Sequence, residues 1–241
     1  MNRGIPTDVV DYISADRPPL EFCIGGRLLP KHGKMEICGA PGVMKSWLAQ
    51  YLSYCLAAGI PWLDFPTIQS RTVLIHFEMA DEIAAERASA MSRVIEVERN
   101  KLFLWTPGVM ALERDEDFNQ LKATLQLIEP QVVVLDYFRC CYGLDENKSQ
   151  EVNLWTGKIE SLIRELNLAV IVLHHTNKNP LYSAGMDKSS GSTALPGWMD
   201  TVIYIASQPT GTQLQFSKTR HSREPMHSIN VAFENYVWHR Q

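Results

Sequence analysis

The amino-acid sequence predicts an α/β fold in which a mainly parallel, twisted sheet is flanked by helices and carries antiparallel strands at its C-terminal end. Short apolar runs alternate with helical patterns between residues 35 and 174, which is the order that builds a parallel sheet. The apolar runs are continuous, as in strands that are buried on both faces. After residue 200, three strand patterns follow one another with only turns between them, and this predicts antiparallel strands.

Each predicted element is bounded by turn or capping residues. Strands are predicted at 35–38, 72–77, 102–105, 132–136, 169–174, 201–206, 213–217 and 229–233. Helices are predicted at 46–58, 80–97, 115–128 and 151–166. Residues 21–26 resemble a short strand and turn, and residues 177–195, rich in Asn, Ser, Gly and Lys, resemble a long exposed loop. Residues 1–20 are interpreted as an N-terminal lead-in to one domain at 21–241.

Composition excludes several classes of protein. The chain has 241 residues, 45% of them hydrophobic and 21% charged, and no apolar window approaches the ~18 residues of a membrane span. We therefore expect no membrane association. The first residues lack the apolar region of a secretory signal, and the five cysteines show no metal-ligand spacing, so a cytoplasmic location is expected. A net charge of −4 argues against a wholly basic nucleic-acid coat and leaves room for a local basic channel.

A glycine-rich segment at 39–46 lies between the first strand of the parallel set and the helix that follows it. Gly39, Lys45 and Ser46 match the pattern G-x-x-x-x-G-K-[ST], in which backbone N–H groups surround a polyphosphate, the lysine reaches the outer phosphates and the hydroxyl holds Mg²⁺. Met44 stands where the second glycine is usual, and Gly42 keeps the loop glycine-rich. An ordinary turn before a helix is the alternative interpretation. The predicted nucleotide-binding residues are Gly39, Ala40, Pro41, Gly42, Val43, Met44, Lys45, Ser46 and Trp47.

Two carboxylates follow predicted parallel strands, whose carboxyl ends share the sheet edge at which the loop opens. Asp136 is the predicted Mg²⁺-shell residue together with Ser46, because phosphoryl transfer on such a loop needs a carboxylate near the metal. Asp136 could instead be a turn former or a helix cap. Glu78 is the predicted general base for water, and its alternative role is a solvated acid at a helix N-terminus.

Two pairs of basic side chains complete the list of candidate catalytic residues. His174 and His175 end the strand predicted at 169–174, where a neutral imidazole can donate a hydrogen bond to a γ-phosphate, although a satisfied polar residue is the alternative. Lys218 and Arg220 lie two residues apart, so both project from one face of a strand. They suit a phosphate, or they could decorate a solvated edge strand.

Taken together, these motifs resemble the RecA-like ATPases of the hexameric helicase branch, such as plasmid RepA-type helicases and the motor domain of replicative helicases. The resemblance spans roughly residues 20–235. It rests on the loop at 39–46, on Phe77-Glu78-Met79, on Asp136-Tyr137, on the two histidines and on Lys218-Thr219-Arg220. It implies that Glu78 is the catalytic base and that His174 or His175 is the polar sensor of the γ-phosphate.

The resemblance also implies an assembly. In that family the Lys-x-Arg pair acts in trans, so Lys218 and Arg220 would complete the neighbouring subunit's site, and ATP would lie between protomers. A homo-oligomer, a hexameric ring in the helicase branch, follows from this. Single-stranded DNA is the implied partner, contacted by channel loops for which 139–148 and 177–188 are the candidates. The candidate phosphate contacts are Arg139, Lys148, Lys178 and Lys188, and solvated loops are the alternative interpretation.

The sequence therefore predicts Mg²⁺-dependent ATP hydrolysis by a helicase-like motor that moves along single-stranded DNA. Two alternatives stay open at this point. One is a RecA- or KaiC-like regulatory or mediator ATPase that uses ATP for assembly. The other is a nucleotide-gated interaction module that does not hydrolyse ATP.

Overall fold

The strand that precedes the glycine-rich loop lies inside a nine-stranded sheet, which organises the rest of the chain. The computed structural model of the protein describes residues 6–143, 145, 148–176, 194–208 and 211–241. Within these residues the strands are β1 Phe22–Ile24, β2 Leu29–Pro30, β3 Lys34–Gly39, β4 Thr72–His76, β5 Leu102–Trp105, β6 Val132–Asp136, β7 Ala169–His175, β8 Thr201–Gln208, β9 Gly211–Thr219, β10 Ile229–Glu234 and β11 Val237–Arg240. The helices are α1 Val9–Ser14, α2 Lys45–Ala58, α3 Asp81–Ser92, α4 Asp115–Ile128, α5 Ser149–Leu166 and α6 Ala194–Trp198.

The large sheet has the order β11-β10-β9-β8-β3-β7-β6-β4-β5. Strands β8, β3, β7, β6, β4 and β5 are parallel to one another, whereas β8 to β11 pair antiparallel. The predicted fold class is confirmed, including the antiparallel extension at the C-terminal end. Because β3 pairs with β7 on one side and with β8 on the other, the loop after β3 opens at the carboxyl edge of the sheet.

Helices cover both faces of this sheet. On one face α2 and the end of α3 contribute Leu48, Leu52 and Met91 to a core that also contains β3, β7 and β8 side chains. On the other face α4, α5 and α6 contribute Leu121, Trp155 and Leu195. The central strands are buried on both faces, and this explains why their sequences are continuously apolar.

Several elements differ from the predictions. The helix predicted at 80–97 ends at Ser92, because the following β-branched Val94 and Ile95 turn the chain so that Ile95 enters the core. The predicted lead-in contains α1, which has no buried residue. The elements β2, α6 and β11 have no counterpart among the predictions. A helix with one or two turns and a two-residue strand carry too few residues for a period to be recognised.

The segment predicted as an exposed loop at 139–148 begins with buried structure, which is a correction. Phe138–Cys141 form a 3-10 helix in which Phe138, Cys140 and Cys141 are buried, and the centroid of the Phe138 ring lies 4.9 Å from that of Trp155. Arg139 in the same turn is exposed. Of the loop predicted at 177–195, residues 177–193 lie outside the described residues, and the remainder begins α6, whose Leu195 is buried. No helix among the described residues has the length and apolarity that crossing a bilayer requires.

Candidate nucleotide site

A cavity of about 450 Å³ opens at the carboxyl edge of the parallel strands, beside the N-terminus of α2. Four parallel strands, β3, β4, β6 and β7, end around it, so residues far apart in the sequence meet there. The cavity is lined by Gly42, Met44, Lys45, Ser46, Trp47, His76, Glu78, Met79, Ile83, Arg87, Asp136, Tyr137 and His175. Most of the residues predicted to form a nucleotide site therefore share one cavity.

The backbone of the loop explains its glycines and its one departure from the pattern. A Cβ on Gly39 would lie 2.8 Å from the carbonyl oxygen of Ile205, so no side chain fits there. Gly42 has φ of 84°, in the left-handed region. Met44 also adopts a left-handed conformation, with φ of 63° and ψ of 28°, directly before α2. Met44 therefore keeps the backbone shape that the usual glycine would provide, at a cost in strain of roughly 1–2 kcal/mol.

Lys45 lies inside the loop and interacts with three of its neighbours. Its Nζ donates to the carbonyl oxygens of Gly39 and Ala40, both at 2.8 Å, and lies 3.0 Å from Nδ1 of His175. Burial lowers the pKa of Lys45 to about 8, although the charge of Asp136 opposes this shift. Burial, and then the charge of Lys45, also lower the pKa of His175 below its usual value. An ammonium group can only donate, so Nδ1 of His175 accepts and the ring proton lies on Nε2.

Asp136 connects the loop to the neighbouring strand. The Ser46 hydroxyl donates to Oδ1 of Asp136 at 3.2 Å, and Oδ2 lies 2.9 Å from Nδ1 of His76. Both partners of this second contact are buried. A carboxylate accepts hydrogen bonds, so we place the His76 proton on Nδ1. Hydroxyl and carboxylate oxygens side by side are the ligand types that Mg²⁺ prefers, and this donor set fits the predicted metal site.

Glu78 follows the end of β4, lines the cavity and is exposed. Its Oε1 accepts a hydrogen bond of 2.9 Å from the hydroxyl of Tyr137. Burial, and then this hydrogen bond, raise the pKa of Tyr137 well above its usual value, so the phenol stays protonated and donates. The Tyr137 ring also packs edge-on against His175, with centroids 4.2 Å apart. Tyr137 thus contacts two of the predicted catalytic side chains.

The two predicted histidines lie on opposite faces of β7, and only His175 reaches the cavity. The side chain of His174 is buried on the other face, where its Nδ1 lies 2.9 Å from Oε1 of the buried Glu36 and its ring packs against Phe138. His174 as a phosphate sensor is therefore wrong. Adjacent strand residues point to opposite faces, so one of the two had to turn away, and the sequence could not say which.

Lys218 and Arg220 lie at the other edge of the sheet. β9 runs antiparallel to β8, so Thr219 pairs with Thr201, and the backbone N–H of Arg220 donates to the carbonyl oxygen of Asp200 at 2.9 Å. Asp200 in turn lies beside Lys34, the first residue of β3, at the end away from the loop. The length of β3 separates the two edges by roughly 17 Å. Within one subunit these two side chains do not meet the cavity.

The DNA-contact candidates are only partly described. Arg139 is exposed on the 3-10 turn. Lys148 is exposed as well, but its Nζ lies 3.0 Å from Oε1 of Glu151 and 4.0 Å from Oδ2 of Asp145. Exposed pairs of this kind contribute about 0–1 kcal/mol, so they could exchange for a phosphate. Lys178 and Lys188 lie outside the described residues.

Sequence reasoning missed three residues that line the cavity. His76 lies two residues before Glu78, near the same strand end, and period-2 spacing would have placed it there. Tyr137 was recognised only as part of a motif. Arg87 of α3 places its guanidinium 4.6 Å from the ring centroid of Trp47, which itself packs against Phe233 of β10. No sequence pattern marks Arg87, because this contact depends on how α3 lies over α2.

Comparison with known proteins agrees with this geometry. Residues 4–180 match the sequence profile of the family described as AAA domain. Among solved structures, the ATPase domain of a helicase superposes with a TM-score of 0.65 at 12% sequence identity, covering 88% of this chain and 85% of that chain. At this identity the likeness concerns the fold, and it confirms the predicted RecA-like architecture.

Proposed function

Because the chain belongs to the AAA domain family, whose match covers the glycine-rich loop and the strands around it, we propose that it is a Mg²⁺-dependent ATPase motor acting on single-stranded DNA. The observation that supports this most directly is the contact between Ser46 and Asp136, 3.2 Å apart at the mouth of the loop. A loop hydroxyl beside a strand-end carboxylate is the arrangement that phosphoryl transfer on a phosphate loop requires.

The loop residues provide the phosphate site. The start of α2 borders the cavity, and the helix dipole with its free N–H groups favours an anion there. Lys45 can turn from the carbonyl oxygens of Gly39 and Ala40 to the outer phosphates. Ser46 and Asp136 would hold the magnesium ion and its waters, with His76 fixing the carboxylate. The metal, when bound, supplies charge neutralisation on the phosphates.

Glu78 is the proposed general base, and His175 the proposed sensor. Glu78 faces the cavity from the end of β4, and its exposure gives water access to the carboxylate. The hydrogen bond from Tyr137 holds one carboxylate oxygen, which leaves the other to accept a proton. A neutral His175 can donate from Nε2 to the outer phosphate once Lys45 leaves Nδ1. Its position next to Thr176 would carry that change to the following segment.

Lys218 and Arg220 are proposed to act on the neighbouring subunit's nucleotide. Since they lie roughly 17 Å from the loop of their own subunit, a role in ATP hydrolysis requires a second subunit. A closed ring, with six subunits as the expected number, would bring this edge of one subunit to the loop of the next. Arg139, Lys148, Lys178 and Lys188 are proposed to face single-stranded DNA in the channel.

The deciding experiment is steady-state ATP hydrolysis with and without single-stranded DNA, with the solution mass determined under the same conditions. We expect turnover that rises with DNA in a multi-subunit species. Glu78→Gln should keep nucleotide binding and lose turnover by about 10²-fold or more, whereas Lys45→Ala should lose binding. Near-normal hydrolysis by Glu78→Gln would remove it as the base. Nucleotide binding with no turnover and no response to DNA would replace the motor by an ATP-gated assembly module.

A further inference from the structure

Lys218 and Arg220 are held in place by a small set of contacts at the amino edge of the sheet. The Arg220 guanidinium donates to Oδ1 of Asp200 at 2.8 Å and to the carbonyl oxygen of Gly197 at 3.2 Å. The Lys218 ammonium donates to the carbonyl oxygens of Pro196 and Gly197, at 2.9 and 2.8 Å. Both cations therefore share one acceptor, the Gly197 carbonyl, and their relative position is fixed by it.

Asp200 is the centre of this arrangement. Its carboxylate is almost fully buried, whereas the Arg220 side chain that it holds is 46% exposed. Oδ2 accepts from the backbone N–H of Lys34 at 3.0 Å, so the carboxylate is also tied to the first residue of β3. His221 places Nε2 3.7 Å from Oδ1. Asp200 thus has a rigid base in the sheet and presents one oxygen to a guanidinium at the surface.

This geometry differs from that of an ordinary surface ion pair. A side chain as long as arginine normally loses conformational freedom when it makes a contact, and exposed pairs gain little as a result. Here the backbone of Arg220 is already bonded to the carbonyl oxygen of Asp200 at 2.9 Å, which fixes the start of the side chain. Two further contacts fix its end. The guanidinium has five N–H groups, more than these contacts use, so donors remain for a phosphate.

We propose that Asp200 is a positioning residue for the trans-acting cations, which orients Arg220, and through the shared Gly197 carbonyl Lys218, toward the neighbouring subunit's phosphates. This inference rests on the proposed function, because it requires that Arg220 and Lys218 act across a subunit boundary. Asp200 itself contacts neither nucleotide. A cation held in advance in its working geometry needs no reorganisation when the transition state forms, and this is where an electrostatic contribution is largest.

The test uses Asp200→Asn, which keeps the shape and removes the charge. In the homo-oligomer we expect kcat to fall about tenfold to a hundredfold, the range that a small misplacement of a catalytic group produces. KM and nucleotide affinity should stay unchanged, because Asp200 lies at the sheet edge opposite its own loop. Asp115→Asn is the matched control: it also removes a carboxylate paired with a cation, Lys158, but Asp115 contacts neither the cavity nor the Asp200 cluster. It should keep normal kcat.

Mixing experiments separate positioning from a structural role. Asp200→Asn subunits keep Glu78, and Glu78→Gln subunits keep correctly held cations, so a mixture should regain hydrolysis at interfaces that combine the two. A mixture of Asp200→Asn with Arg220→Ala lacks correct cations in every subunit and should regain none. The double variant Asp200→Asn/Arg220→Ala should be no slower than Arg220→Ala alone, because both changes act through one group.

The outcomes distinguish this inference from the function beneath it. If Glu78→Gln and Arg220→Ala subunits do not rescue each other, action in trans is wrong, and the positioning role falls with it. If they do rescue each other but Asp200→Asn has normal kcat, or is rescued equally by Arg220→Ala, only the positioning role is overturned. Should Asp200→Asn fail to fold, Asp200→Glu moves the same charge by one methylene and is expected to give the same mixing pattern, whose absence would also overturn the role.

Discussion

Nδ1 of His76 lies 2.9 Å from Oδ2 of Asp136, and both side chains are buried beneath the phosphate loop. The other oxygen of Asp136 accepts from Ser46, so the histidine fixes the rotation of a carboxylate that faces the proposed metal position. Residues that orient a metal-shell carboxylate in this way change metal affinity or activity by about 10- to 100-fold when they are removed.

We therefore expect His76→Leu to raise the Mg²⁺ concentration needed for half-maximal ATP hydrolysis by about tenfold or more. His76→Asn is the matched control, since its side-chain amide can place an N–H near the position of Nδ1. A Mg²⁺ titration of turnover measures both variants. Equal Mg²⁺ requirements in wild type and His76→Leu, with both folded, would show that Asp136 needs no such support.

The pKa of Lys45 predicts how nucleotide binding depends on pH. Burial lowers this pKa from 10.5 to about 8, so the ammonium charge is present below pH 8 and is lost as the pH rises above it. We expect the Kd for ATP, measured with a fluorescent analogue, to rise roughly tenfold between about pH 7.5 and pH 9. Lys45→Arg keeps its charge throughout this range and should show a flat profile, whatever its absolute affinity. The same rise in both proteins would assign it to another group.

Met44 in the left-handed region gives a prediction about stability. Met44→Gly relieves strain of about 1–2 kcal/mol and loses roughly 0.4–1 kcal/mol through the greater freedom of the unfolded chain. The free energy of unfolding, measured with urea, should therefore change by about 1 kcal/mol or less. Met44→Val should cost more than about 1 kcal/mol, because a branched Cβ suits this conformation least. A Met44→Val protein as stable as wild type would contradict the left-handed backbone.

The N-terminal lead-in predicted at residues 1–20 can be tested by truncation. α1 has no buried residue, and Val10 and Ile13 are 68% and 76% exposed. Deletion of residues 1–14 should shift the Tm of dilute protein by less than about 2 °C. A longer deletion, to residue 24, removes the buried Cys23 and Ile24 and serves as the contrasting variant, with a clear loss of stability expected. A large loss in the shorter deletion would place residues 1–20 within the domain.

Sequence patterns predicted the fold well where burial and period agree. The parallel strands could be recognised because a strand buried on both faces is continuously apolar, as Val132–Asp136 shows. Boundaries were less predictable. Helix α3 ends where Ile95 enters the core, and α6 is too short to display a period, so both depend on contacts between distant parts of the chain.

By itself, the sequence determined which chemical groups the protein has at its strand ends and in what order, because a phosphate loop, strand-end carboxylates and a Lys-x-Arg pair are local patterns. Only the tertiary structure decided which of them meet. Adjacent residues of a strand face opposite sides, so His175 reaches Lys45 while His174 pairs with Glu36. The antiparallel return of β9 likewise carries Arg220 to Asp200, at the edge away from its own loop. Strand register and direction, which no local pattern encodes, made these choices.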